Sequence, residues 1–452
     1  MSLSIAILAA GKSTRFKSKI PKVLYPLAGR PMLAYTLETA AQLTPEPPVL
    51  VIGPEMEAEI RAWGGERARY AVQHERLGTG HAVMQTRALL EGQADQVLVL
   101  YADGPLLRAD TMRQLVTLKA ETDAAIAMMT IISDTPRGFG RILRGPDGYI
   151  QGIIEEPEAT PEQLAIRELN PGIYIFDAEF LWAYLPQLQP SARKGEYYLT
   201  DMVELATATG RRVAGIPFAD PDEALAVNTR VDLAATEAAL RRRIARQWML
   251  AGVTLVDPAT TYIDPDVTIG QDTVIQPNTH LRGATTIGED CVIGPNTIIE
   301  ACAIGNRCKV LASVLEEAVM EDDSAIGPFG HLRKGAHLCQ GAHMGNFGEI
   351  KNGTLGPGAK MGHFSYLGDA QVGANVNIGA GTITCNFDGQ HKHRTVLEEG
   401  VFIGSDTLLV APLHIGAGAK TGAGSVVTHD VPPHTLVYGV PARPRKKLDE
   451  SE

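Results

Sequence analysis

A chain of 452 residues exceeds what one hydrophobic core supports, so two or three domains are expected. Hydrophobic residues at 44%, charged residues at 21% and a net charge of -11 exclude the broad basic surface that non-specific nucleic-acid or anionic-membrane binding needs. The five cysteines (Cys291, Cys302, Cys308, Cys339, Cys385) show no CxxC spacing, so buried reduced thiols in a cytoplasmic protein are expected rather than a zinc site.

Residues 4–10 read as a buried strand, too short to span a bilayer and with no basic leader. Apolar runs recur at 48–52, 96–101, 125–132 and 172–176, separated by helical stretches at 32–42 and 80–90. That alternation predicts an open, mostly parallel α/β sheet with helices on both faces, binding its ligand beyond the carboxyl ends of the strands.

The first of those loops holds Gly11-Lys12-Ser13-Thr14-Arg15, with Pro21-Lys22 behind it. It is not a phosphate-binding Walker loop, because Ala6 stands where that motif requires glycine. The string from Leu8 to Arg15 instead resembles the signature of sugar-phosphate nucleotidyltransferases, which usually carry Gly at the place of Ser13. The resemblance implies that Leu8, Ala9, Ala10 and Gly11 approach a triphosphate, while Arg15 and Lys22 offset charge in the transfer step. It continues through Gln73, Gly78 and Thr79 as uracil readers, and through Tyr101-Ala102-Asp103. It reaches the sugar with Gly140, Glu155 and Asn170. Asp103 and Asn228 would be the ligands of Mg2+, a hard cation that prefers oxygen. The segment 196–201 resembles the family too and reads as a loop into a helix capped by Thr200 or Asp201.

Residues 229–250 contain no Gly or Pro and read as one linker helix, with Arg241-Arg242-Arg243 on a solvated face. The expected domains are therefore 1–228, 229–250 and 251–452.

Beyond the helix every sixth residue from Ile263 to Ile299 is aliphatic, and the beat resumes at Ile326 and again at Ile403. A period of six is that of a hexapeptide β-helix, expected to be left-handed and parallel, in which three hexapeptides make an 18-residue coil. Arg333 and Lys351 should then stack; like charges opposite each other on a sheet are destabilising, which either an anion held between them or splaying of both into solvent relieves. The frame lapses at 311–325 and at 385–394; the second lapse is polar and should protrude as a loop.

The strings 362–369 and 375–386 resemble the acetyltransferase half of the bifunctional bacterial uridylyltransferase/N-acetyltransferase family that makes UDP-N-acetylglucosamine. That resemblance, with the first half, covers nearly the whole chain. It implies a homotrimer with His363 as general base and Arg333, Lys351, Tyr366, Asn377 and Lys392 around glucosamine 1-phosphate. Acetyl-CoA would meet Ala380, Asn386, Phe387, Ser405, Ala423 and Arg443. Phe387 replaces the family's usual Tyr, and the tail departs from the family at Val440. Glu349 is expected to orient the imidazole. The alternative is a single-activity nucleotidyltransferase with a regulatory or oligomerising β-helix; a non-catalytic assembly subunit is a third possibility.

Overall fold

The computed structural model describes residues 2–135, 138–191 and 195–447, which form two compact units, 1–240 and 241–452. In the first unit the strand Leu3–Leu8 is apolar on both faces, as a strand covered on both sides must be. It pairs in parallel with Val49–Ile52 and with Gln96–Tyr101, placing Leu8 opposite both Val51 and Tyr101. The three strands therefore end together. Their following loops emerge at one edge of the sheet.

The sheet is more mixed than the strand and helix alternation implies. Tyr174–Asp177 inserts antiparallel between Gln96–Tyr101 and Ile126–Ile132, and Glu168–Asn170, Gly140–Arg144 and Ile150–Ile154 add an antiparallel extension. These return strands carry the residues expected at the sugar side. Two buried clusters fill the faces, one around Val97, Met128 and Phe176, the other around Ile7, Leu50 and Leu100. The expected helix at 80–90 is two pieces, Thr79–Met84 and Arg87–Leu90.

The helix Arg230–Leu250 is continuous. At its start Asp232 Oδ2 accepts from the backbone N–H of Asn228 (3.1 Å) and Thr229 (2.7 Å), which anchors Asn228 to the helix. Arg230 lies 4.1 Å from the ring centre of Phe16 and 3.9 Å from that of Tyr25, clamping the loop that carries Arg15 and Lys22. The arginine run is not simply a solvated face: Arg241 covers the Tyr262 ring at 4.7 Å.

The second unit is a three-sided parallel β-helix whose faces are sheets of 12, 10 and 9 strands. The expected aliphatic column is buried: Ile275, Leu281, Ile293 and Ile299 have no exposed surface. Each such side chain removed from water contributes roughly 1.5–3 kcal/mol. The coil length varies more than a uniform 18. Ile299 stands opposite Leu315, a spacing of 16, and Leu315 opposite Leu332, a spacing of 17. The lapse at 311–325 thus leaves the prism unbroken, because corners shorten while the strands keep their pairing. The lapse at 385–394 is a true excursion: Val372 stands opposite Leu397, a spacing of 25.

Candidate active sites

In the first unit a cavity of about 480 Å³ is lined by Leu8, Ala9, Ala10, Gly11, Arg15, Lys22, Gln73, Gly78, Thr79, Tyr101 and Asp103. A second, of about 270 Å³, shares Thr79 and Tyr101 with it and adds Gly140, Glu155 and Asn170. A third, of about 210 Å³, shares Tyr101 and Asp103 and reaches Asn228. Every candidate residue of the first unit lines this connected space except Ala102, whose side chain is fully buried.

Local geometry explains the residue types. Ser13 sits in the left-handed region at φ 54°, which accounts for glycine at that place in the family and costs this chain about 1 kcal/mol. Gly78 has φ 98°, and a Cβ there would stand 2.6 Å from the Tyr197 carbonyl oxygen. The 196–201 loop closes against this turn: Gly80 N–H donates to Tyr197 O (2.8 Å) and Tyr197 N–H to Leu77 O (2.7 Å). Thr200 holds the N-cap position of Asp201–Ala208 without a side-chain cap bond. Gln73 is buried and donates to the Gly78 carbonyl at 3.2 Å. Asn170 Oδ1 accepts from Gly172 N–H and the Tyr174 hydroxyl, which fixes its amide orientation.

Two contacts join the cations to the acidic and amide oxygens. Lys22 Nζ is 2.7 Å from Asp103 Oδ2, and Arg15 Nη2 donates to Asn228 Oδ1 at 3.2 Å. Val227 N–H donates to Asp103 O at 2.9 Å, so the two oxygen-bearing loops are tied together. Burial, Glu204 and Glu155 push the Asp201 carboxyl up to about 6. Arg76, which reaches the carbonyl of Ala10 and pairs with Glu55, also lines the cavity and carries no motif in the sequence.

In the second unit Met361, Ile378, Ile403 and Thr421 occupy successive positions on the 12-stranded face. Two residues after each come His363, Ala380, Ser405 and Ala423, so these four form a single column along one prism edge. Backbone bonds link its coils: Asp406 N–H donates to Ala380 O and Gly424 N–H to Ser405 O. At about 4.8 Å per coil the column runs about 14 Å. Gly379 and Gly404 beside it admit no Cβ, which would lie 2.6 Å from the next coil's backbone. The hairpin Thr435–Tyr438 with Arg443–Lys447 closes this end and sets Arg443 opposite Tyr438; Arg445 instead covers the Tyr438 ring.

The expected stacking of Arg333 and Lys351 follows from the pairing of Leu332 with Ile350. Lys351 is held below its usual pKa first by the neighbouring Lys392 ammonium and then by Arg333, so three cations converge. Glu349 does not orient His363: it accepts from Arg333 Nη1 at 2.9 Å. The His363 ring has no hydrogen-bond partner among the described residues and is exposed. Tyr366 lies on the same 10-stranded face as Lys351, its hydroxyl over Gly368, where a Cβ would come within 2.3 Å of it. Asn386 donates to Asp369 Oδ2 at 2.6 Å, and Phe387 and Lys392 face each other across the loop, leaving the Phe387 ring 60% exposed. Asn377 is not brought to this group. It lies on the 12-stranded face.

Residues 5–145 match the MobA-like NTP transferase domain, 266–301 the bacterial transferase hexapeptide, and 394–429 the hexapeptide repeat of succinyl-transferase. "Bifunctional protein GlmU" of Trichlorobacter lovleyi is 46% identical over 439 residues, 96% of this chain and 95% of that one. Its namesake in Stutzerimonas stutzeri is 47% identical over 440 residues, 97% and 96% of the two chains, and that of Heliobacterium modesticaldum 45% over 445 residues, 98% and 96%. An α/β nucleotidyltransferase domain, a helix and a hexapeptide β-helix thus occur in the order and at nearly the full length of these relatives, and the chain belongs to the bifunctional GlmU family.

Proposed function

We propose that the two halves perform successive steps of UDP-N-acetylglucosamine synthesis, acetylation in the β-helix followed by uridylyl transfer in the α/β unit. The chain is a bifunctional transferase in which a nucleotidyltransferase domain precedes a hexapeptide acyltransferase domain. The functional domains are proposed to be 1–228 and 251–452, with 229–250 joining them. The observation that carries the reading is the column of His363, Ala380, Ser405 and Ala423, in which an imidazole stands at one end of a row of small side chains.

In the first step the amine of glucosamine 1-phosphate attacks the thioester carbon of acetyl-CoA, an amide forms and the CoA thiol leaves. His363 takes the amine proton; its exposed, unpartnered ring leaves a nitrogen available. Arg333, Lys351 and Lys392 hold the phosphate, which offsets their mutual repulsion, and Tyr366 and Asn377 contact the sugar. The acetyl-CoA arm lies along Ala380, Ser405 and Ala423, flanked by Asn386 and Phe387, with Arg443 toward its phosphates.

Because Asn377 lies on a different prism face from Arg333, Lys351 and Tyr366, one chain supplies an incomplete sugar pocket, and a homotrimer completes it.

In the second step a phosphate oxygen of N-acetylglucosamine 1-phosphate attacks the α-phosphorus of UTP and pyrophosphate leaves. Gln73, Gly78 and Thr79 read the uracil; Gly140, Glu155 and Asn170 hold the sugar; Arg15 and Lys22 stabilise charge on the phosphates. Asp103 and Asn228 present two hard oxygens on one cavity, a donor set that suits Mg2+. When bound, the ion neutralises charge on the triphosphate. We assign the reaction to the cytoplasm, consistent with five free thiols; no described helix is long and apolar enough to cross a membrane.

The order of steps is tested with glucosamine 1-phosphate, UTP and Mg2+. Pyrophosphate should appear only once acetyl-CoA is added, whereas thiol release should need neither UTP nor metal. Equal pyrophosphate release without acetyl-CoA would refute the order.

A further inference from the structure

On the nine-stranded face the residue that follows each inward aliphatic side chain forms a column up the prism. Glycine fills it at Gly270, Gly288, Gly305, Gly356 and Gly373, because a Cβ at any of these would stand 2.4–2.8 Å from the next coil. Three coils break the rule, at Glu321, Cys339 and Glu398, and the first two are consecutive. Met320 pairs with Leu338, so the residues that follow them, Glu321 and Cys339, replace glycine one above the other. His337, on the same strand as Leu338, places Nε2 2.8 Å from Glu321 Oε1. The ligating atoms of Glu321, His337 and Cys339 all lie within 4.8 Å of one another.

The glutamate–histidine pair recurs farther along, and the comparison isolates the thiol. Glu398 Oε1 meets His414 Nε2 at 3.0 Å, and its Oε2 accepts from Ala417 N–H at 2.8 Å, as Glu321 Oε2 accepts from Gln340 N–H at 2.9 Å. At the counterpart of Cys339 that second pair has Gly416. Pairing a histidine across coils therefore needs no cysteine. Cys339 is an addition that turns a two-residue contact into a set of one carboxylate, one imidazole and one thiol.

We propose that Glu321, His337 and Cys339 form a binding site for a borderline divalent ion such as Zn2+, open to solvent at its fourth position. Zinc bonds of about 2.0–2.3 Å to oxygen, nitrogen and sulfur put tetrahedral ligands about 3.3–3.8 Å apart, so side-chain adjustment within the present cluster suffices. A cleft of about 450 Å³ lined by Gly305, Glu321, Asp322 and Gln340 borders the cluster on its Glu321 side. Binding converts the Cys339 thiol to thiolate and releases its proton to solvent. Burial and the Glu321 charge push that thiol up, and a cation between the two groups removes the second cause. The ion joins two adjacent coils. It is separate in residues and in chemistry from the all-oxygen Asp103 and Asn228 pair.

The full chain, stripped with chelator, is titrated with Co2+. A thiolate-to-cobalt charge-transfer absorption should saturate at one ion per chain. The band should be absent in Cys339→Ser, titrate at least tenfold more weakly in His337→Gln, and be unchanged in His414→Gln, which removes the pair that lacks a thiol. In unsubstituted protein Zn2+ should slow iodoacetamide alkylation of Cys339 and leave Cys385 unaffected. No charge-transfer band in the wild type, its persistence in Cys339→Ser, or Cys339 alkylation indifferent to Zn2+ would each overturn the proposal.

Discussion

Lys22 Nζ stands 2.7 Å from Asp103 Oδ2, and the lysine side chain is only 9% exposed. The pair joins the loop after the first strand to the loop after Gln96–Tyr101, so the ammonium is held against the cavity that both loops line. Replacing Lys22 by Met should lower kcat for pyrophosphate release by about 10²–10³, the usual cost of one preorganised charge-stabilising donor. Thiol release from acetyl-CoA should be unchanged, which steady-state rates for the two products will show.

Gly78→Ala probes the turn against the 196–201 loop. The new Cβ meets the Tyr197 carbonyl at a backbone φ of 98°, so the turn must move or carry strain of roughly 1–3 kcal/mol. A rise of at least tenfold in KM for UTP is expected, with acetylation retained. An unchanged KM would show that the turn does not shape the uracil pocket.

Asp201 gives a pH dependence of defined sign. Burial first, then Glu204 and Glu155, raise its folded pKa to about 6, so the folded state binds this proton more tightly than the unfolded chain does. Its contribution is fully present below the unfolded carboxylate range near 4, declines as pH rises to about 6, and stays lost above it. Asp201→Asn should therefore stabilise the protein by about 1 kcal/mol at pH 8 and negligibly at pH 4; that figure is discounted because the carboxyl keeps contact with solvent. Thermal unfolding of both proteins across that range checks the sign.

The separation of Asn377 from Arg333 predicts complementation between chains. Arg333→Ala and Asn377→Ala proteins should each lose at least tenfold in acetylation. Mixed and reassembled, they should recover a substantial fraction, because some pockets draw both intact residues from different chains. No recovery on mixing would place both residues in one chain's pocket.

Much of this architecture is legible in the chain. The period of six reports the inward column directly, because one aliphatic residue per strand is all that fits inside the prism. The first loop is legible because small residues and cations must follow a strand that ends at the ligand edge. Less legible is what depends on corners and returns. Backbone pairing keeps coils of 16 to 18 residues in register, so the uniform 18 overstates a lapse that the fold absorbs. The antiparallel strand Tyr174–Asp177 has the same apolar composition as a parallel one. Glu349 lies near His363 in sequence frame yet pairs with Arg333, since a guanidinium offers it a charged partner. The Glu321, His337 and Cys339 cluster has no local spacing motif because its members come from successive coils.

The central claim is that acetylation and uridylyl transfer occupy separate sites of one protein, the first built on the β-helix and the second on the α/β unit. It is tested by following free thiol and pyrophosphate from glucosamine 1-phosphate, acetyl-CoA, UTP and Mg2+ in wild type, His363→Ala and Asp103→Ala. His363→Ala should lose thiol release yet still produce pyrophosphate from supplied N-acetylglucosamine 1-phosphate, and Asp103→Ala should do the reverse. Undiminished acetylation by His363→Ala, or neither product from wild type, would contradict the account.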